Sequence, residues 1–346
     1  MSRALVISGG GSKGAFAVGV IKRLQQEYPG LEFDMFVGTS TGSLIVPLVA
    51  MGEMATLEQL YTTLTTEDII TTHRLGDRVK FHSIFEVTPL WNLLEENYTD
   101  PRYADLLATG KKLFLTTTCL QTGESVVFTT ATDPVLSDYY EVKKLTDADH
   151  FRKAVLASAC QPVFMPPIKV NQDVAGEAHP DYEFVDGGVR EYAGVQMAID
   201  NGATEIFTIL LSSGINTPID HDLKDLFSIL QTTVDIFIDD VGKNDLIIPY
   251  QYNLALKYID AVKNKMKQGG LSQAEINEFF RTPGQDNPFE NKVPLKLYTI
   301  RPDTPLGGGP GGLTFDPAIM QAMLKKGETA SEDFIASLKP GDITWA

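Results

Sequence analysis

Three short stretches of this 346-residue chain combine side chains and turns suited to chemistry. The first is Gly9-Gly10-Gly11-Ser12-Lys13-Gly14, whose Gly9-x-Gly11-x-x-Gly14 spacing fits a dinucleotide-binding turn. The second is Gly38-Thr39-Ser40-Thr41-Gly42, a Gly-x-Ser-x-Gly elbow that would expose a serine hydroxyl on a tight strand-to-helix turn. The third is Asp186-Gly187-Gly188, which ends the run Glu183-Phe184-Val185.

The dinucleotide reading makes a demand that the chain does not meet. Such folds end their second strand, about 20 residues beyond the glycines, in an acidic residue that binds ribose hydroxyls. Asp34 lies at about that distance, but it opens the second strand, and the strand ends in the serine elbow. A different use for the glycine loop follows. A serine attacking an ester creates an oxyanion, and consecutive glycines let backbone N–H groups converge on it. One such donor contributes about 2.7–4 kcal/mol of transition-state stabilisation. A Walker loop is excluded by order, because Lys13 precedes Gly14 and no Gly-Lys-Ser/Thr follows.

Serine needs a group to accept its proton. The five histidines, His73, His82, His150, His179 and His221, stand in no motif of their own, and each reads as a surface or satisfied core residue. Asp186 is the better candidate, since its carboxylate would project from a strand end. The competing reading is a plain turn aspartate, which Asp-Gly-Gly also favours.

The elements that must position these groups alternate. Residues 4–8 read as a buried strand and 12–27 as a helix with Phe16, Val20 and Leu24 on one face. A strand at 33–38 and a helix at 41–51 follow, which implies a parallel sheet with right-handed crossovers. Residues 54–110 read as mainly helical with polar breaks such as Thr71-Thr72-His73-Arg74; 112–119 and 125–130 read as paired strands. A helix ends near Ala157-Ser158-Ala159, and strands follow at 182–185 and 205–211. Beyond Gly214, Leu223, Phe227, Leu230, Val234, Phe237 and Val241 form an amphipathic stripe that predicts a helix over 221–242. A second helix is expected over 250–267, a strand over 295–301, and a closing helix N-capped by Asp316 with Pro317 at its first position.

In this order, the glycine loop, the Ser40 elbow and the Asp186 turn resemble the patatin-like phospholipase family. Ala157-Ser158-Ala159-Cys160-Gln161-Pro162, running to Pro166-Pro167, is similar to that family's stretch ahead of its aspartate, and the likeness covers roughly residues 4–210. Leu313-Thr314-Phe315-Asp316-Pro317, with Gly327 beyond, is similar to the tail of some bacterial members. The resemblance implies a three-layer α/β fold, a mainly parallel central sheet flanked by helices, with a mostly helical C-terminal extension. It divides the chain into a catalytic domain over 4–210 and an extension over 211–346, a candidate lid packed on the core and not independent of it.

The resemblance also implies a serine–aspartate dyad with no histidine, no metal and no cofactor. Ser40 would be the nucleophile and Asp186 the base. Gly10 and Gly11, with Gly9, Ser12, Lys13 and Gly14, would supply the oxyanion hole. Gly38 and Gly42 would frame the elbow, and Gly187 and Gly188 the aspartate turn. Lys13 fills the family's usual basic slot. One departure stands out: the family often has asparagine and proline shortly after the aspartate, where this chain reads Val189-Arg190-Glu191-Tyr192-Ala193-Gly194.

The expected partner is a lipid or phospholipid substrate. A net charge of −16 disfavours nucleic acid and strongly anionic membranes. Cys119 and Cys160 describe no disulfide framework and suggest an intracellular setting. No secretory leader and no apolar run of ~20 residues is seen, so a cytoplasmic location with at most peripheral membrane contact is expected; secretion without a signal stays open. Three candidate features are weighed against plainer readings. The 221–242 helix as a cover for the site is set against core, the basic cluster of Lys257, Lys263, Lys265 and Lys267 as a contact for lipid head groups against a solvated face, and Gly307–Gly312 as a mobile flap against an ordinary loop. Two rival functions stay open: a catalytically silent or gated relative acting in binding, and a nucleotide-binding protein indifferent to Ser40.

Overall fold

Apolar runs that do not alternate with polar residues suit strands covered on both faces. Ala4-Leu5-Val6-Ile7 and Met35-Phe36-Val37 are such runs, and they are buried within β1 (Arg3–Ile7) and β2 (Met35–Thr39). The computed structural model describes residues 2–72, 82–215, 218, 222–281, 287–289, 292–339 and 342–343. His73, Arg74 and His221, which the sequence singles out, lie outside the described residues.

Six more strands complete one sheet: β3 (Lys112–Cys119), β4 (Ser125–Thr129), β5 (Glu141–Lys144), β6 (Phe184–Asp186), β7 (Glu205–Ile209) and β8 (Lys296–Ile300). Their order is β8-β7-β1-β2-β3-β4-β5, with β6 also paired to β3. Strands β8, β7, β1, β2 and β3 run parallel, while β4 and β6 pair antiparallel with β3. Side chains alternate across the sheet as the period of two requires. Leu5, Ile7, Phe36 and Leu115 face one core with Phe16, Val20, Leu24 and Ile45; Ala4, Val6, Val37 and Phe114 face a second with Tyr192 and Met197. The α/β fold expected from the alternation of elements is therefore present, with a layer on each side of the sheet. Edge strand β5, Glu-Val-Lys-Lys, shows no apolar signal, and its charges suit a strand with one free edge.

Helices Gly14–Glu27 and Thr41–Ala50 follow β1 and β2, as expected. Between residues 54 and 110 lie the helices Met54–Thr63, Thr66–Ile69, Thr88–Asn97 and Asp100–Ala108, with a short ribbon of Thr71–Thr72 and Phe85–Glu86 between the second and third.

The expectation of two helices over 221–242 and 250–267 is corrected. A single helix runs from Leu226 to Gln268, straight through Pro249. It starts at Asp225, whose carboxylate accepts the Ser228 N–H at 2.9 Å. Pro249 removes one N–H from a helix of 43 residues, and the flanking turns keep theirs. The stripe is corrected too: Phe237 is exposed, and the inward face carries Gln231, Asp235, Ile238, Gly242, Asp245, Pro249, Asn253 and Leu256. Among the described residues no helix is long and apolar enough to cross a membrane.

The closing helix Pro317–Ser337, capped by Asp316 as expected, lies against helix Gly14–Glu27 and buries Met320, Met323 and Leu324. Glycines bring the two backbones together. A Cβ on Gly327 would collide with the Phe16 carbonyl, and one on Gly19 with the Leu324 carbonyl. Gly327→Ala should therefore destabilise by about 1–3 kcal/mol through overpacking, despite alanine's better helix propensity. Denaturant unfolding checks this against Gly30→Ala, whose added methyl meets nothing and which should leave the midpoint unchanged.

Candidate active site

Strand β3 brings the two chemical side chains together. Its edge facing β2 pairs Lys112 through Thr116 with Met35 through Thr39, so β2 stops opposite Thr116. The other edge is taken by β4, from Phe114 to Thr118. Strand β6, arriving from the opposite direction, continues the first edge and places Asp186 opposite Thr117. Two strands thus meet end to end, one delivering Ser40 just past Thr39 and the other ending in Asp186. Gly187 is required by this crossing, since a Cβ there would collide with Thr116 Oγ1.

Ser40 sits at φ 56°, ψ −124°, a backbone state that non-glycine residues rarely adopt. It is held by its neighbours. The Ser40 N–H donates to Ser158 Oγ at 3.0 Å, and Ser43 Oγ donates to the Ser40 carbonyl at 2.7 Å. The Ser43 and Ser158 hydroxyls are 2.6 Å apart and close the ring. Strand and helix approach so closely that a Cβ on Gly42 would collide with the Ile7 carbonyl, and one on Gly38 would stand 2.6 Å from Ser43 N.

Asp186 is 5% exposed. Its Oδ1 accepts the Gly188 N–H at 2.8 Å, its own N–H donates to the Cys160 carbonyl at 2.8 Å, and Thr118 Oγ1 donates to its carbonyl at 3.2 Å. Burial pushes the carboxyl up from 3.8 to about 6, against the hydrogen-bonding pull of the Ser40 hydroxyl and the Gly188 N–H. The segment behind it, Val189 to Gly194, is fixed by Asp245 of the long helix. That carboxylate accepts the N–H groups of Tyr192 at 2.6 Å and Ala193 at 3.2 Å. Burial, and then the mutual repulsion of Glu191 and Asp245, raises the Glu191 carboxyl.

A cavity of 270 Å³ opens over Ser40 and Asp186 and is edged by Gly9, Gly10, Gly11 and Lys13. A Cβ on Gly9 would stand 3.1 Å from Ser40 Cβ, so this loop lies directly against the Ser40 turn. Within it, Lys13 N–H donates to the Gly10 carbonyl at 3.2 Å, and Gly14 N–H donates back to Gly11 and Ser12. Those two donors are used inside the turn. Ser12 is fully buried beneath the loop.

The cavity has two unlike sides. Leu44, Ile69, Leu90 and Phe315 lead into an adjoining apolar space of 70 Å³ that reaches Leu94, Tyr98 and Met320. Lys13, Ser212, Asp235 and Asp239 lead the other way into a broad groove that carries further charged side chains, among them Asp222, Lys224, Asp240 and Lys243. Burial lowers the Lys13 ammonium, partly offset by the Asp235 charge.

None of His82, His150 and His179 lines the cavity. His150 is buried against Asn171, 3.1 Å from its side-chain oxygen, and His179 stacks on Tyr182. Asp34 accepts the Arg3 N–H at the opposite end of the sheet from the glycine loop, so that acid does not stand beside the loop. Among the described residues no group of three His, Cys, Asp or Glu is placed to hold a metal ion. Of the two candidate covers, the long helix contributes Asp235, Ile238 and Asp239 to the cavity wall, and Gly311 of the 307–312 loop lines it as well. Lys257 and Lys265 are exposed, and Lys263 lies over the Phe280 ring, away from the cavity. No local pattern points to Asp235; Ser43, one helical turn after Ser40, is within reach of the i+3 rule.

A family model described as patatin-like phospholipase matches residues 5–199. No curated protein matches the chain in sequence. Among solved structures, the chain is similar to the "Crystal structure of VipD from Legionella pneumophila", at 13% identity and a TM-score of 0.44, over 97% of this chain and 67% of that one. The family match supports a hydrolase of lipid acyl groups.

A raised folded-state pKa makes the charged form of Asp186 costly, so the cost is absent below about pH 4 and complete above about pH 6. Asp186→Asn keeps the acceptor for Gly188 and removes the charge. It should stabilise the fold by up to about 3 kcal/mol at pH 8, since each tenfold change in proton affinity is about 1.36 kcal/mol. Unfolding curves from pH 8 to pH 4 should show that gain shrinking to nothing; a constant gain would contradict the burial argument.

Proposed function

The chain belongs to the patatin-like phospholipase family, and from that premise we propose that it hydrolyses carboxylic ester bonds of lipids through Ser40 and Asp186. The Asp186 carboxylate accepts the Ser40 proton as Oγ attacks the ester carbonyl carbon. The resulting oxyanion is received by the N–H groups of Gly10 and Gly11, the loop residues at the cavity edge whose neighbours Lys13 and Gly14 spend theirs within the turn. Collapse breaks the ester C–O bond, and Asp186 returns the proton to the leaving alcohol. Water then attacks the acyl carbon of the acyl-serine, giving a proton to Asp186; collapse breaks the carbon–Oγ bond, Asp186 returns that proton to Ser40 Oγ, and the fatty acid leaves.

One observation carries this reading: a buried carboxylate, raised to about 6, beside the hydroxyl of a serine on a strained elbow. A base works best when its pKa lies near the working pH, and burial moves Asp186 towards it. The unlike sides of the cavity support an acyl chain in the apolar space and a polar leaving alcohol towards Lys13 and Ser212. Residues 4–210 are read as the catalytic unit and 211–346 as an extension that depends on it, because β8 pairs with β7 at the sheet edge. The two free cysteines favour a reducing compartment, and contact with membrane would be peripheral.

The test is hydrolysis of p-nitrophenyl esters of graded chain length, followed by phospholipids and lysophospholipids. Ser40→Ala and Asp186→Asn should each lower kcat by about 10³-fold or more, while His179→Ala leaves it unchanged. Ser40 should take up a fluorophosphonate probe. Activity that survives Ser40→Ala would overturn the reading, and absence of both turnover and labelling would favour a silent relative. In the wild type, kcat/KM should fall about tenfold per pH unit below about pH 6, as Asp186 becomes protonated.

A further inference from the structure

The second glycine-rich segment, Gly307–Gly312, lies outside the residues matched to the family, yet it touches the first glycine loop backbone to backbone. Gly11, at φ +58°, has no room for a Cβ, which would collide with the Gly312 carbonyl. Gly312, at φ +73°, has none either: a Cβ there would collide with the Gly10 carbonyl oxygen and stand 2.8 Å from the Gly10 carbonyl carbon. The carbonyl of Gly10 and the N–H of Gly11 belong to one peptide plane, in which they point in opposite directions. Whatever seats the Gly10 oxygen therefore aims the Gly11 N–H.

We propose that Gly312 is a positioning residue for the oxyanion hole: its backbone seats the Gly10–Gly11 peptide plane so that the Gly11 N–H faces Ser40. The proposal rests on the dyad reading given above, in which Gly11 supplies a donor. It makes the C-terminal extension a working part of the site. The segment is itself anchored. The Gly311 N–H donates to Asp235, which Gln231 Nε2 also contacts at 3.2 Å and whose charge acts on Lys13. Thr314 N–H donates to the Gly308 carbonyl at 2.8 Å, and Phe315 N–H to Thr66 Oγ1 at 2.9 Å. One carboxylate on the long helix thus holds the second loop by its backbone and faces the ammonium of the first.

Oxyanion donors act within a narrow range of about 2.7–3.1 Å, and a misplacement of about 1 Å can cost about 10²-fold in rate. Gly312→Ala should lower kcat for a p-nitrophenyl ester by about 10²-fold and leave KM within about threefold. Affinity for an acyl trifluoromethyl ketone, which forms a tetrahedral adduct on Ser40, should fall by the same factor as kcat/KM. Affinity for the fatty acid product should hold. Gly309→Ala is the control for loop folding: Gly309 has a similar φ of +69°, but its added methyl meets only the Thr314 side chain. Its kcat should stay within about threefold of the wild type. If Gly312→Ala does not fold, Asp235→Ala releases the Gly311 N–H without adding an atom between the loops, and a smaller, parallel loss of kcat and ketone affinity is expected.

Equal losses in Gly309→Ala and Gly312→Ala, or a change in KM alone, would overturn the proposal. So would full kcat in Gly312→Ala beside an inactive Ser40→Ala, which would leave the dyad reading standing. Activity retained by Ser40→Ala would instead remove the dyad reading itself.

Discussion

Two neighbouring residues on one strand edge hold the candidate site together. Thr116 of β3 pairs with Thr39 and Thr117 with Asp186, from strands that arrive in opposite directions. A slip of one residue in either pairing would exchange the side chains that face the two cores, and it would also separate the serine from the aspartate. The site is therefore specified by the same hydrogen-bond ladder that specifies the sheet. Thr116 reinforces the join through its side chain, donating to Thr39 Oγ1 at 2.7 Å.

That junction concentrates unfavourable features. Ser40 is strained, Asp186 is buried with a raised pKa, and Ser43 and Ser158 use their hydroxyls to satisfy backbone groups of the elbow. Such a cluster persists only where the surroundings over-determine it. Two fully buried flanking strands and close glycine contacts supply that constraint. Stability surrendered at the junction is offset by the two cores on either side of the sheet.

How much of this was legible in the sequence depends on how local each feature is. The elbow, the glycine loop and the aspartate turn are local, because each is a tight turn whose backbone demands glycine at fixed offsets. Apolar runs were equally plain wherever a strand was covered on both faces. Less visible was β5, an edge strand with a charged sequence. The long helix misled in two ways. The pattern read as two helices, over 221–242 and 250–267, where one runs through, and Phe237 suggested a buried stripe, when the inward face is partly polar. Hydrophobic periodicity cannot find a face that contains Gln231, Asp235, Asp245 and Asn253. Nor could any local pattern show that Gly312 lies against Gly10, since that contact joins residues about 300 apart in the chain and forms only when the sheet closes.

The polar face of the long helix has a reason beyond the site. Purely apolar contact would let a helix of 43 residues settle in several registers against the fold, with little to choose between them. Three inward polar side chains each meet a different piece of backbone: Asp235 meets Gly311, Asp245 meets Tyr192 and Ala193, and Asn253 exchanges two bonds with Leu295. A shift by one turn would leave all three, and the N–H groups they satisfy, without partners in a poorly solvated setting, where each unmade bond costs about 1–3 kcal/mol. Apolar packing by Ile238, Val241 and Leu246 attracts the helix, and these bonds select its position. The helix that walls the cavity is thereby held in the same register as the strands that carry Ser40 and Asp186.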